Sequence, residues 1–435
     1  MGQGPEIILP PHSTTRLAPT PHVDGVAPGV IFATETEAYL ILEKIGEGGI
    51  CRAFLATPMH TARFTETAFA ECLPPYEPRR ITRLFVPESP LLSVLSMTAP
   101  TCVLKILAVE RDDPLYAMHV ARLRQEAACY GTISDHRLPK LHAAGEAPIP
   151  HLAIQHFRGE TLRDIIEEYH GQSPPQRMPL PRAIAILRKV AAAVESLHRA
   201  GIVHRDVKPE NTIMVTPEGE EESPRIIDLG LARWIPQPGL ETALGDVRPR
   251  DRGITQFYGG IGGTPEYAAP EQFDPSVPVT SAVDTFAVAT MAYELLAGQL
   301  PYQSTNPIEI PTLRRSRLPP PFDRPELPRE TCTALYRIIL RGMSVDLSQR
   351  STSPTVCIDA LREVLENERR MRLRNERAAA VGRPAIATPR RSTPRVNTPT
   401  PRGRYGARLT PPPVEWHRQA WFGLPALFRR LTRQQ

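Results

Sequence analysis

The sequence predicts an α+β protein in which strands come first and helices follow. Short apolar runs bounded by turn residues indicate strands at 38–42 and 102–107. The clearest helix pattern covers 181–200, where apolar residues recur at positions i, i+3, i+4 and i+7. Strands and helices that are segregated along a chain are typical of the α+β class. We therefore expect an α+β protein with a β-rich N-terminal part and a helical C-terminal part.

The remaining elements are predicted from the same two periodicities. A strand is expected over 151–157, leading through a Gly-Glu-Thr-Leu turn into a helix. Further helices are expected at about 114–130, 282–297, 331–342 and 355–370. These elements belong to one domain, predicted to cover residues 37–368.

Composition divides the rest of the chain. Residues 1–36 are rich in proline, histidine and threonine without periodicity, which predicts a flexible N-terminal arm. A proline-rich stretch at about 57–100 is predicted to be an insertion, because such long connections are uncommon inside compact domains. Residues 369–413 are rich in arginine, proline and threonine and are predicted to be a disordered linker, followed by an amphipathic segment at 414–435.

Charge is distributed unevenly along the 435 residues. The net charge is +5, but the part from Met371 onward carries fourteen arginines and two acidic residues, Glu376 and Glu415. The preceding domain is therefore mildly acidic, which argues against a nucleic-acid-binding surface across it. Nucleic acid is not an expected partner of the tail either, since Tyr405, Trp416 and Trp421 are too few to form stacking platforms.

The six cysteines are scattered without a C-x-x-C pair, so neither a zinc site nor a disulfide framework is indicated. The sequence shows no run of about 18 apolar residues and no secretory signal pattern. We therefore expect a cytoplasmic protein without a transmembrane helix, with peripheral membrane association as an alternative.

The most informative stretch is His-Arg-Asp-Val-Lys-Pro-Glu-Asn at 204–211, followed by Asp-Leu-Gly at 228–230. Phosphoryl transfer needs a carboxylate to orient a hydroxyl, oxygen ligands for a metal and a cation near the phosphates. These two motifs supply such groups in the order of a kinase catalytic loop.

With these motifs the chain resembles the protein kinase family, and 204–211 is similar to the bacterial (Hanks-type) serine/threonine branch. The resemblance implies a two-lobed fold with a small β-rich N-lobe and a large helical C-lobe. It implies transfer of the γ-phosphoryl group of ATP to protein Ser or Thr hydroxyls. It also implies that Asp206 orients the hydroxyl and Lys208 contacts the γ-phosphate. Asn211 and Asp228 are then the ligands of Mg²⁺, with Mn²⁺ as an alternative metal.

The resemblance also identifies residues expected to hold ATP. In the chain they fall into a glycine-rich hairpin, a strand lysine with its helical glutamate, and a hinge: Gly46, Glu47, Gly48, Gly49, Ile50, Cys51, Ala53, Val103, Lys105, Glu126, Ile154, Gln155 and Phe157. Two residues depart from the family pattern, since Cys51 stands where a third glycine is usual and Ala53 where valine covers the adenine. A redox role for Cys51 is the alternative to simple filling of space.

Residues 263–271 (Gly-Thr-Pro-Glu-Tyr-Ala-Ala-Pro-Glu) resemble the end of a kinase activation segment, which favours a protein substrate. Glu271 is expected to pair with Arg350, and Thr264 to bridge Asp206 and Lys208. The resemblance further implies that Asp284 holds the catalytic-loop backbone.

Two features suggest regulation. Thr242 and Thr255 are candidate autophosphorylation sites, and Arg205 is the residue type that pairs with such a phosphate in relatives. The segment 414–435 concentrates aromatic and apolar residues beside arginines. We expect it to dock on the kinase body, a partner protein or an anionic membrane surface.

One alternative function remains open from the sequence. A pseudokinase scaffold would keep the fold and bind partners without catalysis. Its usual sequence mark is loss of the residues that correspond to Lys105, Asp206 or Asp228, and all three are present here.

Overall fold

The computed structural model describes residues 23–34, 36–48, 50–59, 81–83, 99–174, 176–217, 219–234, 264–274, 276–304, 306 and 309–380. The chain divides into two compact units between residues 377 and 378, and the described residues lie in the first unit except for 378–380, the end of the last helix. In the first unit a β-rich N-terminal part precedes a helical C-terminal part, which confirms the predicted fold class.

The N-terminal part is built on a seven-stranded sheet with the order β4-β1-β2-β3-β5-β7-β6. All neighbouring strands in it are antiparallel. The strands are β1 (Val30–Ala33), β2 (Ala38–Glu47), β3 (Cys51–Pro58), β4 (Ile81–Arg83), β5 (Cys102–Leu107), β6 (Leu141–Gly145) and β7 (His151–Gln155). Phe32, Tyr39, Phe54 and Leu104 are buried in one apolar cluster, so β1, β2, β3 and β5 share a common core.

Seven α-helices occur among the described residues: α1 (Tyr116–Thr132), α2 (Leu162–Gly171), α3 (Leu180–Arg199), α4 (Ala282–Ala297), α5 (Ile310–Ser316), α6 (Arg329–Gly342) and α7 (Pro354–Ala380). The apolar stripe of α3 is buried from Ile184 to Leu197, as its periodicity predicts. Every residue of α4 from Val283 to Ala297 is buried, because the helix is mostly apolar and its two carboxylates, Asp284 and Glu294, are hydrogen-bonded inside the fold. Helix α4 therefore forms the centre of the helical part.

Short strands frame the two loops that carry the motifs. Strands β8 (Glu160–Thr161), β10 (Thr212–Val215) and β11 (Ser223–Ile226) form one small sheet, and β9 (Ile202–Val203) pairs with β12 (Arg233–Trp234). The His-Arg-Asp motif therefore runs from β9 to β10, and the Asp-Leu-Gly motif from β11 to β12. Gly159, just before β8, must be glycine, because a Cβ there would lie 2.0 Å from the carbonyl oxygen of Met214.

The prediction of a flexible arm through residue 36 does not hold for residues 23–34. A 3₁₀ turn at Val23–Gly25 and strand β1 occupy this stretch, and β1 pairs with β2 and β4. All four residues of β1 are buried, and that burial stabilises a strand too short for its pattern to be recognised in the sequence. Residues 1–22 lie outside the described part.

The other predicted boundaries also shift. The proposed insertion at 57–100 contains the end of β3 and strand β4, while its stretches 60–80 and 84–98 lie outside the described residues. Helix α7 continues to Ala380, so residues 369–380 are helical although a disordered linker was predicted from 369. Exposed pairs such as Arg372–Glu376, four residues apart, stabilise a polar helix of this kind.

No helix among the described residues is long and apolar enough to cross a membrane.

Candidate active site

Lys105 connects three separate elements of the fold. Its Nζ atom lies 2.6 Å from Oε1 of Glu126 on α1 and 2.7 Å from Oδ1 of Asp228 after β11. Burial alone would lower the pKa of Lys105, but the carboxylates of Asp228 and Glu126 outweigh it and raise that pKa well above its ordinary value. Lys105 is therefore a fixed cation at the junction of β5, α1 and the Asp-Leu-Gly loop.

Asp228 adopts a backbone conformation that non-glycine residues rarely adopt, with φ at 67°. Its neighbours hold this geometry: the buried Leu229 donates its N–H to the Tyr130 hydroxyl at 3.2 Å, and Gly230 donates its N–H to Asp228 Oδ1 at 3.2 Å. The Lys105 ammonium lowers the pKa of Asp228 to about 2. The side chain is 44% exposed, so an ionised carboxylate is presented to solvent beside Lys105.

Asp206 lies at the meeting point of the catalytic loop and the segment that begins at Thr264. Its Oδ2 atom accepts a hydrogen bond from Asn211 Nδ2 at 2.9 Å and lies 2.8 Å from Lys208 Nζ. Its Oδ1 atom accepts the N–H of Thr264 at 3.2 Å, and Lys208 Nζ donates to Thr264 Oγ1 at 2.6 Å. Thr264 thus bridges Asp206 and Lys208, as the sequence predicted.

The backbone of the catalytic loop is fixed by Asp284 at the start of α4. This carboxylate is fully buried and accepts the N–H groups of His204 and Arg205, each at 2.8 Å. His198 Nε2 contacts it at 2.8 Å from α3. Arg205 has φ at 70°, and the Asp284 contact holds this strained residue in place.

The ring of His204 links the two motif loops. The N–H of Asp206 donates to His204 Nδ1 at 3.3 Å, so Nδ1 is the unprotonated nitrogen. The Nε2–H then donates to the carbonyl oxygen of Ile227 at 3.3 Å. His204 therefore joins the residue that precedes Asp228 to the loop that holds Asp206.

The glycine-rich hairpin joins β2 and β3. Gly48 donates its N–H to the carbonyl oxygen of Cys51 at 2.9 Å, which closes a tight turn. The carbonyl oxygen of Ile50 accepts the N–H of Ala108 at 2.8 Å, so the hairpin is tied to the end of β5. Gly49 lies outside the described residues.

Glu47 and Cys51 are two hairpin residues whose side chains have defined surroundings. Glu47 pairs with Lys44 at 2.6 Å and with Arg52 at 3.0 Å, so its carboxylate is engaged across the hairpin. Burial raises the pKa of the Cys51 thiol to about 12. A thiol this far from ionisation fills space in the hairpin and is a poor nucleophile.

The predicted adenine-pocket residues come from three adjacent strands. Ala53 on β3 pairs with Lys105 on β5, and Val103 on β5 pairs with the buried Ile154 on β7. Beyond Ile154 the chain leaves the sheet after Gln155, whose N–H donates to the carbonyl oxygen of Lys140 at 2.8 Å. Ala53, Val103 and Ile154 therefore form one apolar wall, and the chain reaches the hinge directly after it.

Phe157 at the hinge has a partner that the sequence did not predict. The guanidinium carbon of Arg225 on β11 lies 5.8 Å from the centre of its ring, within the range of a cation–π contact. This contact links the hinge to the small sheet formed by β8, β10 and β11.

The segment after Thr264 is anchored to the helical part by a buried ion pair. Arg350 donates to both carboxylate oxygens of Glu271, and both side chains are at most 5% exposed. The predicted Glu271–Arg350 pair is thus present. Next to it, Gln272 donates to the carbonyl oxygen of Arg205 and accepts the N–H of Ala269, each at 2.9 Å, which connects the segment to the catalytic loop.

A second anchor was missed by the sequence reasoning. Arg163 on α2 donates to Glu210 at 2.9 Å and to the buried Glu294 at 2.8 Å. The Tyr267 hydroxyl contacts both Arg163 and Glu294. Glu210 and Tyr267 lie within predicted motifs, but no sequence signal pairs them with Arg163 and Glu294, and only the fold brings the four residues together.

Comparison with known families identifies the class of protein. Residues 94–373 match the protein kinase domain family. The match covers more than half of the chain, and the chain therefore belongs to the protein kinase family. The matched range begins beyond the glycine-rich hairpin, which the structure adds to the same sheet through the β3–β5 pairing.

Among curated proteins the chain is similar to bacterial serine/threonine-protein kinases. It is 27% identical over 257 residues to pkn2 of Myxococcus xanthus, covering 59% of this chain and 28% of that protein. It is 30% identical over 255 residues to PknD of Mycobacterium tuberculosis, covering 57% and 34%, and 29% identical over 217 residues to PknB of the same organism, covering 48% and 30%. The chain thus spans about a third of the length of these relatives.

Proposed function

We propose that this protein is a serine/threonine protein kinase that transfers the γ-phosphoryl group of ATP to protein Ser or Thr hydroxyls and acts in signalling. The observation that carries the proposal is the contact of Lys105 with both Glu126 and Asp228. In protein kinases the strand lysine must pair with the helical glutamate while the Asp-Leu-Gly-type aspartate is in place. The names of the relatives support the same activity.

ATP fits the groups on the hairpin, β5 and the hinge. Backbone N–H groups of a glycine-rich turn can approach phosphates closely, and Lys105 supplies a fixed positive charge for them. The apolar wall of Ala53, Val103 and Ile154 suits the face of an adenine ring. The side chain of Cys51 occupies space in the hairpin at a position where a glycine is usual. Because its thiol is not ionised, it carries no charge that would repel a phosphate.

Mg²⁺ fits the donor set of Asn211 and Asp228. The Asn211 amide nitrogen faces Asp206, donating both to its backbone oxygen and to Oδ2 at 2.9 Å, which leaves the amide oxygen for a cation. Asp228 adds an ionised and partly exposed carboxylate. One carboxylate oxygen and one amide oxygen are suitable ligands for a hard cation such as Mg²⁺. Water and phosphate oxygens would complete its coordination shell, and the cation would neutralise the charge of the phosphates. Mn²⁺ takes the same ligands.

Asp206 and Lys208 are the groups we assign to the transfer itself. The Asp206 carboxylate, held by Asn211 and Thr264, orients the incoming hydroxyl and takes up its proton. Lys208, held between Asp206 and Thr264, places a positive charge where it can reach the transferred phosphoryl group. Such chemistry depends mainly on positioning, and both side chains are fixed by several contacts.

The proposal also includes partners and regulation, which involve residues outside the described part of the chain. Protein substrates are the expected partners, without nucleic acid. Autophosphorylation at Thr242 or Thr255 and docking of 414–435 on the kinase body, a partner protein or an anionic membrane surface fall outside the described part of the chain. A cytoplasmic location likewise stays a prediction.

The test is a transfer assay on the purified full chain. The protein is incubated with Mg²⁺ and ATP labelled in the γ-phosphate, with dephosphorylated casein as substrate, and the phosphoamino acids are separated after hydrolysis. We expect label on phosphoserine or phosphothreonine, and its loss when the metal is chelated. Absence of transfer under all metal conditions would favour the pseudokinase scaffold, and label confined to phosphotyrosine would contradict the assigned substrate class.

A further inference from the structure

Arg314 is a buried arginine that contacts backbone instead of an acidic side chain. It lies on α5 and is 4% exposed. Its Nη1 atom donates to the carbonyl oxygen of Ala268, and its Nη2 atom donates to the carbonyl oxygen of Glu266. The planar guanidinium thus spans two carbonyl groups of one segment, which a single ammonium group cannot do in the same way.

The positive charge of Arg314 is compensated mainly by aromatic rings and backbone dipoles. Its guanidinium carbon lies 5.2 Å from the ring centre of Phe286 and 5.8 Å from that of Tyr302. Among the described residues no carboxylate lies within salt-bridge distance of it, and its Nε atom has no hydrogen-bond partner. Burial lowers its pKa to about 10, so the side chain is still protonated at neutral pH.

A buried cation without an acidic partner is costly for the fold, and an apolar side chain of similar volume avoids that cost. The contacts of Arg314 therefore point to a role other than stability. The two carbonyl groups that it binds lie two and four residues after Thr264, whose backbone and hydroxyl contact Asp206 and Lys208. Arg314 thus holds the path of the chain immediately beyond the catalytic contacts.

We propose that Arg314 is a positioning residue that fixes the segment 264–269 as the surface on which the protein substrate lies beside Asp206. The inference rests on the proposed kinase function. It assigns to α5, which was not predicted from the sequence, the task of holding this segment through the carbonyl groups of Glu266 and Ala268. Arg314 holds this segment mainly through backbone carbonyl groups, and the Glu266 carboxylate adds only a longer-range attraction.

The test compares Arg314→Met with Arg315→Met in the full chain. Arg315 is the next residue of the same helix, is 51% exposed and contacts Asp274 at 3.5 Å, so it is a matched control. Steady-state kinetics with casein and Mg-ATP give KM for each substrate and kcat. Hydrogen exchange followed by mass spectrometry reports the amides of 264–269 without requiring catalysis.

For Arg314→Met we expect KM for casein to rise by roughly tenfold or more, because small displacements of positioning groups are costly, while KM for ATP is unchanged. We also expect amide exchange in 264–269 to be roughly tenfold faster than in the wild type, since released segments open locally. Arg315→Met is expected to match the wild type in both measurements. A general loss of structure would instead raise exchange throughout α4 and α6.

Exchange in 264–269 that is unchanged in Arg314→Met overturns the proposal, and so does an unchanged KM for casein in an active enzyme. If the wild type transfers no phosphate, the kinase assignment fails, and the exchange measurement still decides whether Arg314 holds the segment. Should Arg314→Met not fold, Arg314→Lys keeps the charge and loses the two-carbonyl contact, and the same readouts apply to it.

Discussion

The Nζ atom of Lys105 lies 2.7 Å from Oδ1 of Asp228, although 123 positions separate the two residues in the chain. The contact joins a strand of the N-terminal sheet to a loop that follows β11, and Glu126 of α1 completes it on the other side. These groups meet only when the sheet, the helix and the loop are correctly placed together. The contact therefore reports whether the groups that we propose for nucleotide and metal binding are assembled.

Replacing Lys105 by methionine should abolish phosphoryl transfer and lower stability. Burial raises the pKa of Glu126 and the Lys105 ammonium opposes this, so loss of the ammonium leaves the Glu126 carboxyl group buried without its cation. We expect the free energy of unfolding to fall by about 3 kcal/mol, as for other broken buried pairs. Urea denaturation checks this, with Lys44→Met as control because Lys44 is 41% exposed. Equal stability of the two variants would contradict the account.

Arg350→Met should destabilise the helical part by about 3–5 kcal/mol, because it leaves Glu271 buried without its partner. Arg362, whose side chain is 39% exposed and pairs with Glu366, is the control, and Arg362→Met should cost less than about 1 kcal/mol. Chemical denaturation of both variants measures the difference. If the free energy of unfolding falls no more for Arg350→Met than for Arg362→Met, the Glu271–Arg350 pair does not anchor the segment that follows Thr264.

Asp228→Asn should remove the metal-dependent part of ATP binding while the fold persists, because the amide keeps the shape of the side chain without its charge. We expect transfer to fall by roughly a hundredfold or more, since metal ions stabilise developing charge by several kcal/mol. ATP affinity measured with and without Mg²⁺ checks the first point. The exposed Asp112 supplies the control Asp112→Asn. ATP affinity of Asp228→Asn that still rises with Mg²⁺ would remove Asp228 from the metal site.

Cys51 should be unreactive towards alkylating reagents near neutral pH. A thiol with a pKa of about 12 is ionised to roughly one part in ten thousand at pH 8, and only the thiolate reacts rapidly. Mass spectrometry after brief exposure of the native protein to iodoacetamide measures the modification, and the unfolded protein supplies the reactive reference. Rapid labelling of Cys51 in the native state would revive a redox role for this residue.

The motifs could be read from the sequence because they are local. The residues from His204 to Asn211 are contiguous, and Asp228 follows on a short connection, so their identities and spacing were sufficient. The buried stripe of α3 likewise followed from periodicity, and α4 was predicted as a helix at 282–297.

Features that depend on tertiary context could not be read in this way. Strand β1 has four residues and is stabilised by burial between β2 and β4, which no local pattern reports. Arg163 and Glu294 lie in predicted helices without a distinguishing pattern, and Arg314 lies on α5, which was not predicted. Their side-chain hydrogen-bond partners lie 27 to 131 positions away. The helical residues 369–380 were missed because an exposed, charged helix resembles a solvated linker in composition.

The most direct test of the central claim is the rate of γ-phosphoryl transfer by Asp206→Asn, measured beside its affinity for ATP. Asparagine keeps the size of the side chain but cannot take up a proton from the substrate hydroxyl, so we expect transfer to casein to fall by roughly 10²–10⁴-fold. ATP affinity should stay close to that of the wild type, because Lys105 and Asp228 are untouched. Transfer by Asp206→Asn at a rate near that of the wild type would contradict the assignment of the catalytic loop.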